Sequence, residues 1–112
     1  MRRLLLAAVV LGASLPVPAQ SPGALDLFTR PDKGNCIACH QLPAGAGPAS
    51  RATLGPALAG ERMRDLGREG IREMIDDPMR KNPDTVMPPY GRHQILQPQE
   101  IARLAEFLHA LP

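Results

Sequence analysis

The sequence predicts an all-α domain of short helices joined by long irregular loops, with a core too thin to close on side chains alone. Three observations carry that expectation. No stretch alternates apolar and polar residues with period two, so no strand is expected. The clearest apolar periodicity is helical and comes last, between Pro98 and Leu111. The 112 residues include 13 prolines and 10 glycines against two phenylalanines, one tyrosine and no tryptophan. Small domains of that composition lean on disulfides, a metal or a bound group. The two cysteines sit three positions apart, and a bridge between them would close a loop too small to restrain the unfolded chain.

The domain is expected to span residues 20–112, because residues 1–19 have the form of a cleaved secretory signal. Arg2 and Arg3 precede an apolar run from Leu4 to Leu15, and Val17-Pro18-Ala19 supplies a small-residue cleavage site. The run falls short of the ~20 apolar residues of a membrane span, so no stable span is expected after cleavage. Without Arg2 and Arg3 the 13 basic side chains become 11, equal to the 11 acidic ones. A neutral domain with no Lys/Arg block and a single tyrosine has neither the charge nor the stacking surface for nucleic acid.

Ser21 and Pro22 suit an N-cap and first helical residue for a short helix through Leu25 and Phe28 that Pro31 should end. Residues 34–60 are rich in glycine, proline and small residues and are expected to be mostly loop. Ile71, Met74 and Ile75 give a helical spacing to Arg68–Asp76, stopped by Pro78 and weakened by Gly70. Asn82–Gly91 carries Pro83, Pro88 and Pro89 and is expected to be a stiffened, extended loop. In the final helix Pro98 takes the first position and Glu100 the first turn. Ile101, Leu104, Ala105, Leu108 and Leu111 then form one apolar stripe.

Cys36-Ile37-Ala38-Cys39-His40 is the C-x-x-C-H pattern of covalent haem attachment. Two intervening residues curl the backbone so that both sulfurs can reach the vinyl groups on one porphyrin edge. The next residue, His40, then presents its imidazole to the iron from the same side. A thioredoxin-type dithiol would need a βαβ context that the sequence does not offer. A zinc site would need a further ligand such as His93 or His109, without a second cysteine pair. One covalent haem c also answers the thin core, and the apo-protein is expected to be largely unfolded.

Met63, Met74, Met79, Met87, His93 and His109 are the candidates for the second axial position. Met74 lies at helical spacing beside Ile71 and Ile75, which suits core packing. Met63 between Arg62 and Arg64 suits a helix edge at the surface, and His109 lies opposite much of the last apolar stripe. Met87 stands in the proline-stiffened loop, far enough from His40 for the chain to wrap the ring, and is the preferred ligand. Met79 and His93 stay open as alternatives. A Met/His pair raises the reduction potential, suits an electron acceptor, and leaves no open iron position.

These residues resemble SoxX, the small monohaem subunit family of the SoxAX cytochromes. The likeness spans most of the chain after the leader and is strongest at Gly34–Pro43, Gly55–Gly60, Asn82–Gly91 and the helix from Glu100 to Leu111. The Gly-Asn-Cys lead and the Asn-Pro…Met-Pro-Pro-Tyr-Gly loop discriminate best, because many class I cytochromes c share the rest. The resemblance implies a class I cytochrome c fold in which N- and C-terminal helices pack across each other. It implies Cys36 and Cys39 as attachment sites, His40 as proximal and Met87 as distal ligand. It further implies a heterodimer with a SoxA-type cytochrome subunit, which couples thiosulfate oxidatively to a carrier-protein cysteine as an L-cysteine S-thiosulfotransferase. This chain would then collect the electrons in the periplasm and pass them to a downstream acceptor, with no catalytic residue of its own.

The runner-up is a free periplasmic electron shuttle, separated from the subunit reading by the lack of a permanent partner. A haem enzyme or gas sensor is a third class, and it would need an open or labile iron position.

Overall fold

The computed structural model describes residues 15–16 and 22–112, and the expected cleavage site at Val17–Ala19 lies outside them. Three helices form the frame: α1 (Ala24–Thr29), α2 (Gly60–Asp76) and α3 (Pro98–His109). Two 3₁₀ turns, Cys36–Ala38 and Pro78–Arg80, punctuate the connecting loops, and there is no strand among the described residues. The all-α expectation holds.

The first helix starts later than the sequence suggested. Pro22 lies outside it and Gly23 is the N-cap, its extended backbone (φ −68°, ψ 164°) placing its carbonyl 3.0 Å from the Leu27 N–H. Two residues after Thr29, Pro31 prevents any continuation. Leu27 and Phe28 are fully buried, and Phe28 meets Phe107 of α3 edge to face with ring centroids 6.3 Å apart.

The second helix corrects the sequence reading at both its start and its weak point. It begins at Gly60, eight residues before Arg68, and the break falls at Gly67 and not at Gly70. Gly67 adopts φ 69°, ψ 166°, a backbone state closed to side-chain-bearing residues, although a Cβ there would meet open space. Periodicity missed the first segment because Met63 is its single buried apolar side chain. That turn is held from outside: the Gly60 N–H donates to the Pro112 carbonyl at 3.0 Å, and Arg64 Nη1 donates to the Leu111 carbonyl at 2.9 Å.

The last helix begins at Pro98 as expected and ends at His109, two residues short of Leu111. The Glu100 carboxylate accepts the Gln97 N–H at 2.8 Å, closing the N-terminus, while Lys33 Nζ donates to its other oxygen, also at 2.8 Å. All five members of the apolar stripe are buried, Leu104 and Ala105 completely. Burial of one such leucine is worth about 1.5–3 kcal/mol. Against α3 pack both α1 and α2, so the core lies along one helix and is open on the side where the loops gather.

Candidate cofactor site

The open side of the core is a cleft of about 350 Å³, within the ~300–1,000 Å³ typical of cofactor sites. Cys36, Cys39, His40 and Met87 all line it. Its apolar walls include Phe28, Leu58, Ile71, Ile75, Leu104 and Leu108, so it opens directly onto the core. Arg62 and Lys81 line it as well, and no carboxylate does among the described residues.

Local backbone chemistry builds the cysteine wall. Asn35 takes a left-handed conformation (φ 46°) and its carbonyl accepts the Ala38 N–H at 3.0 Å, starting the 3₁₀ turn. The Cys36 carbonyl accepts from both Cys39 (3.1 Å) and His40 (2.8 Å), which curls the motif as its spacing requires. Before it, Gly34 lacks a side chain where a Cβ would meet the Leu27 carbonyl and Cys36 Sγ. The Gly-Asn lead thus has a steric and a conformational reason.

The loop that follows folds back to orient the imidazole. The Gly55 N–H donates to the Cys39 carbonyl at 2.9 Å, and a Cβ on Gly55 would run into the His40 ring. His40 Nδ1 lies 2.7 Å from the Pro56 carbonyl, a contact that requires the proton on Nδ1 and leaves Nε2 as the free lone pair. Ser50 Oγ donates to the Ile37 carbonyl at 3.1 Å and Gln41 Nε2 to the Ala52 carbonyl at 2.7 Å, tying the same loop down at two more points.

The thiol electrostatics oppose an exchange-active dithiol. Burial pushes the Cys36 thiol up to about 11, the reverse of the lowered value that a redox dithiol needs. Burial, with the two thiols adding to it, pushes the Tyr90 hydroxyl up to about 12. A zinc site fares no better, because the described residues hold no cluster of three His, Cys, Asp or Glu side chains able to bind a metal.

Of the six candidates for the second axial position, Met63, Met74 and Met87 line the cleft, while Met79, His93 and His109 do not. Met79 and His93 are exposed, and His109 is half-buried near the end of α3. Met63 overturns its expected surface position: it is 4% exposed, on the helical turn that periodicity missed. A large apolar ring suits these residues, since the walls are apolar, Cys36, Cys39 and His40 line the same space, and the charged side chains on the lining are cationic.

Comparisons with known proteins point the same way. The family model for cytochrome c matches residues 26–112. An uncharacterized lipoprotein of Aquifex aeolicus (strain VF5) is 34% identical over 79 residues, which are 69% of this chain and 36% of that protein. The chain therefore spans about a third of the length of this curated relative. Among solved structures, SoxXA from P. pantotrophus aligns with a TM-score of 0.65 at 23% identity, covering 80% of this chain and 82% of that one. That is a likeness of fold.

Proposed function

The chain belongs to the cytochrome c family, and from that premise we propose that it carries one haem c on Cys36 and Cys39, with His40 and Met87 as axial ligands. In this reading it is the electron-accepting subunit of a SoxAX-type heterodimer. Family membership itself implies covalent haem c and a role in electron transfer. One observation carries the site assignment: two thiols, an imidazole and the Met87 thioether line a single apolar cleft.

The bound group supplies a reversible one-electron iron couple. The chain's own residues set how it behaves. His40, with Nδ1 committed to the Pro56 carbonyl, offers Nε2 in a fixed tautomer, and Gly55 packed on the ring restricts its rotation. The Met87 thioether would favour ferrous iron and raise the potential, as an electron acceptor needs. Phe28, Leu104 and Leu108 keep water from the buried edge, while Arg62 and Lys81 would neutralise the ring's two carboxylates. Were His40 and Met87 both to hold the iron, oxygen, peroxide or substrate would have no position left to bind. The chain passes electrons and has no catalytic residue.

The partner in this reading is a SoxA-type cytochrome subunit, and the product electrons leave to a downstream periplasmic acceptor. Support comes from the Gly34–Pro43 and Asn82–Gly91 motifs and from the fold likeness to SoxXA. The leader-like residues 1–19 support export to the periplasm with cleavage, and no helix among the described residues is long and apolar enough to cross a membrane.

The deciding experiment is a pull-down of tagged, haem-loaded protein from its native periplasm under thiosulfate growth. Stoichiometric recovery of a second c-type cytochrome that reduces this haem with thiosulfate supports the subunit reading. A lone monomer, reduced by unrelated donors, overturns it in favour of a free shuttle.

A further inference from the structure

Asp77 stands where α2 ends, 6% exposed, a buried carboxylate to which the reading above gives no task. Its Oδ2 lies 3.5 Å from Arg80 Nε and 3.6 Å from Arg92 Nη1, while Oδ1 has no hydrogen-bond partner in the protein. A carboxylate so incompletely satisfied is costly to bury, and at a helix C-terminus it also opposes the helix dipole. For stability alone an apolar side chain would serve better there.

The loop between Asp77 and Arg92 shows what the charge accomplishes. This segment leaves the end of α2 and comes back to it. The Tyr90 N–H donates to the Ile75 carbonyl, and the Gly91 and Arg92 N–H groups both donate to the Asp76 carbonyl, each at 3.1 Å. Carbonyls left without partners at the helix end are thereby satisfied by the returning strand of the loop. Gly91 has no room for a side chain, since a Cβ would collide with the Asp76 carboxylate. Met87 hangs between these fixed ends, steadied locally by the 3.1 Å hydrogen bond from its N–H to Thr85 Oγ1.

We propose that Asp77 and Arg92 form a clasp that closes the neck of this loop and so holds Met87 against the iron. Asp77 is a positioning residue: it is not among the residues that line the cofactor cleft and acts through the loop's return. The inference rests on Met87 being the distal ligand, and its test separates the two.

Ferric, haem-loaded protein is titrated with imidazole, followed by the haem absorption spectrum. Imidazole competes for the position held by Met87, so its apparent affinity reports the fraction of molecules in which that position is released. Asp77→Asn and Arg92→Gln should each tighten apparent imidazole binding about fivefold, the scale of a partly exposed ion pair. The double variant should tighten it no further than Asp77→Asn alone, because the Arg92 contact is already lost once the Asp77 charge is gone, whereas the Arg80 contact to the same oxygen is removed only by Asp77→Asn. Arg92→Lys, which keeps the charge, should stay within about twofold of the parent. Arg92 is 60% exposed at its side chain, so its replacement does not threaten the fold. Met87→Ala sets the ceiling. Parent-like imidazole affinity in Asp77→Asn beside tighter binding in Met87→Ala overturns the clasp and leaves the ligand standing. Binding no tighter in Met87→Ala than in the parent overturns the ligand assignment and the clasp together.

Discussion

The two walls of the cleft are built on opposite principles. On one side, Cys36 to His40 are consecutive, and a 3₁₀ turn together with the Gly55–Pro56 backbone settles where the sulfurs and imidazole go. On the other side Met87 stands in the Asn82–Gly91 loop, which has neither helix nor strand and is held by hydrogen bonds where it returns to α2 and by short-range ones within it, among them Thr85 N–H to the Asn82 carbonyl and Met87 N–H to Thr85 Oγ1. One local turn carries the sulfurs and imidazole of the first wall and the Gly55–Pro56 backbone braces it from a distance, whereas the second wall has no such turn and depends on the return of its loop to α2. Closure of that kind is the easier to loosen, so the Met87 side should be where ligand exchange begins.

The largest effect should come from removing the first wall's covalent chemistry. Cys36→Ala combined with Cys39→Ala should abolish covalent haem and most of the helical circular-dichroism signal, since the side-chain core is thin. A native-like spectrum in that variant would show that the cleft walls close without help. Leu104→Ala, at a fully buried position in α3 bordering both walls, should cost about 2–5 kcal/mol by denaturant melting of the haem-loaded protein.

Next comes the second wall itself. Met87→Ala should lower the reduction potential by an amount on the order of 0.1 V, within the ~0.8 V that axial ligands span. Met63→Leu and Met74→Leu, which change the other cleft-lining thioethers, should leave it nearly unmoved in the same voltammetry. A large shift in either would transfer the ligand role. Gly55→Ala, which drives a methyl into the His40 ring, should cost about 1–3 kcal/mol and broaden the haem spectrum. Equal stability with an unchanged spectrum would mean the ring is less constrained than its packing implies.

The smallest effect concerns the brace between the α1–Cys36 connection and α3. Burial pushes the Glu100 carboxyl up, but the Lys33 ammonium and the Gln97 N–H outweigh it and hold it below the usual 4.5. A carboxyl lowered on folding contributes stability in full above that ordinary value and loses it as the pH falls through the lower folded one. Glu100→Gln should therefore cost about 1 kcal/mol at neutral pH and much less in acid, read from unfolding midpoints across pH 2–7. An equal loss at both ends would assign the effect to packing.

How much of this was legible in the chain can be judged residue by residue. Pro98, Glu100 and the stripe from Ile101 to Leu111 announced α3 correctly, because capping and 3.6-residue spacing are local properties. Cys36, Cys39 and His40 were singled out by spacing alone, and the structure puts all three on one cleft. The start of α2 was hidden, since one buried methionine gives no period and the turn is stabilised by the carbonyls of Leu111 and Pro112 from the far end of the chain. Gly67 and Gly70 look alike in the text, and only the backbone distinguishes the kink from an ordinary helical glycine.

The haem motif, the final helix and the all-α character could be written down before any coordinates, because each depends on neighbours within a few positions. Which methionines share a cleft with His40 could not. The sequence put Met63 at the surface and kept Met79 open as a ligand, yet Met63 is buried in the cleft wall and Met79 is exposed, a difference made by how α2 packs on α3. The same holds for the Pro56 carbonyl on His40 and the Asp77–Arg92 pair. These contacts join segments about 16 and 15 residues apart, and chain spacing alone does not specify such closures.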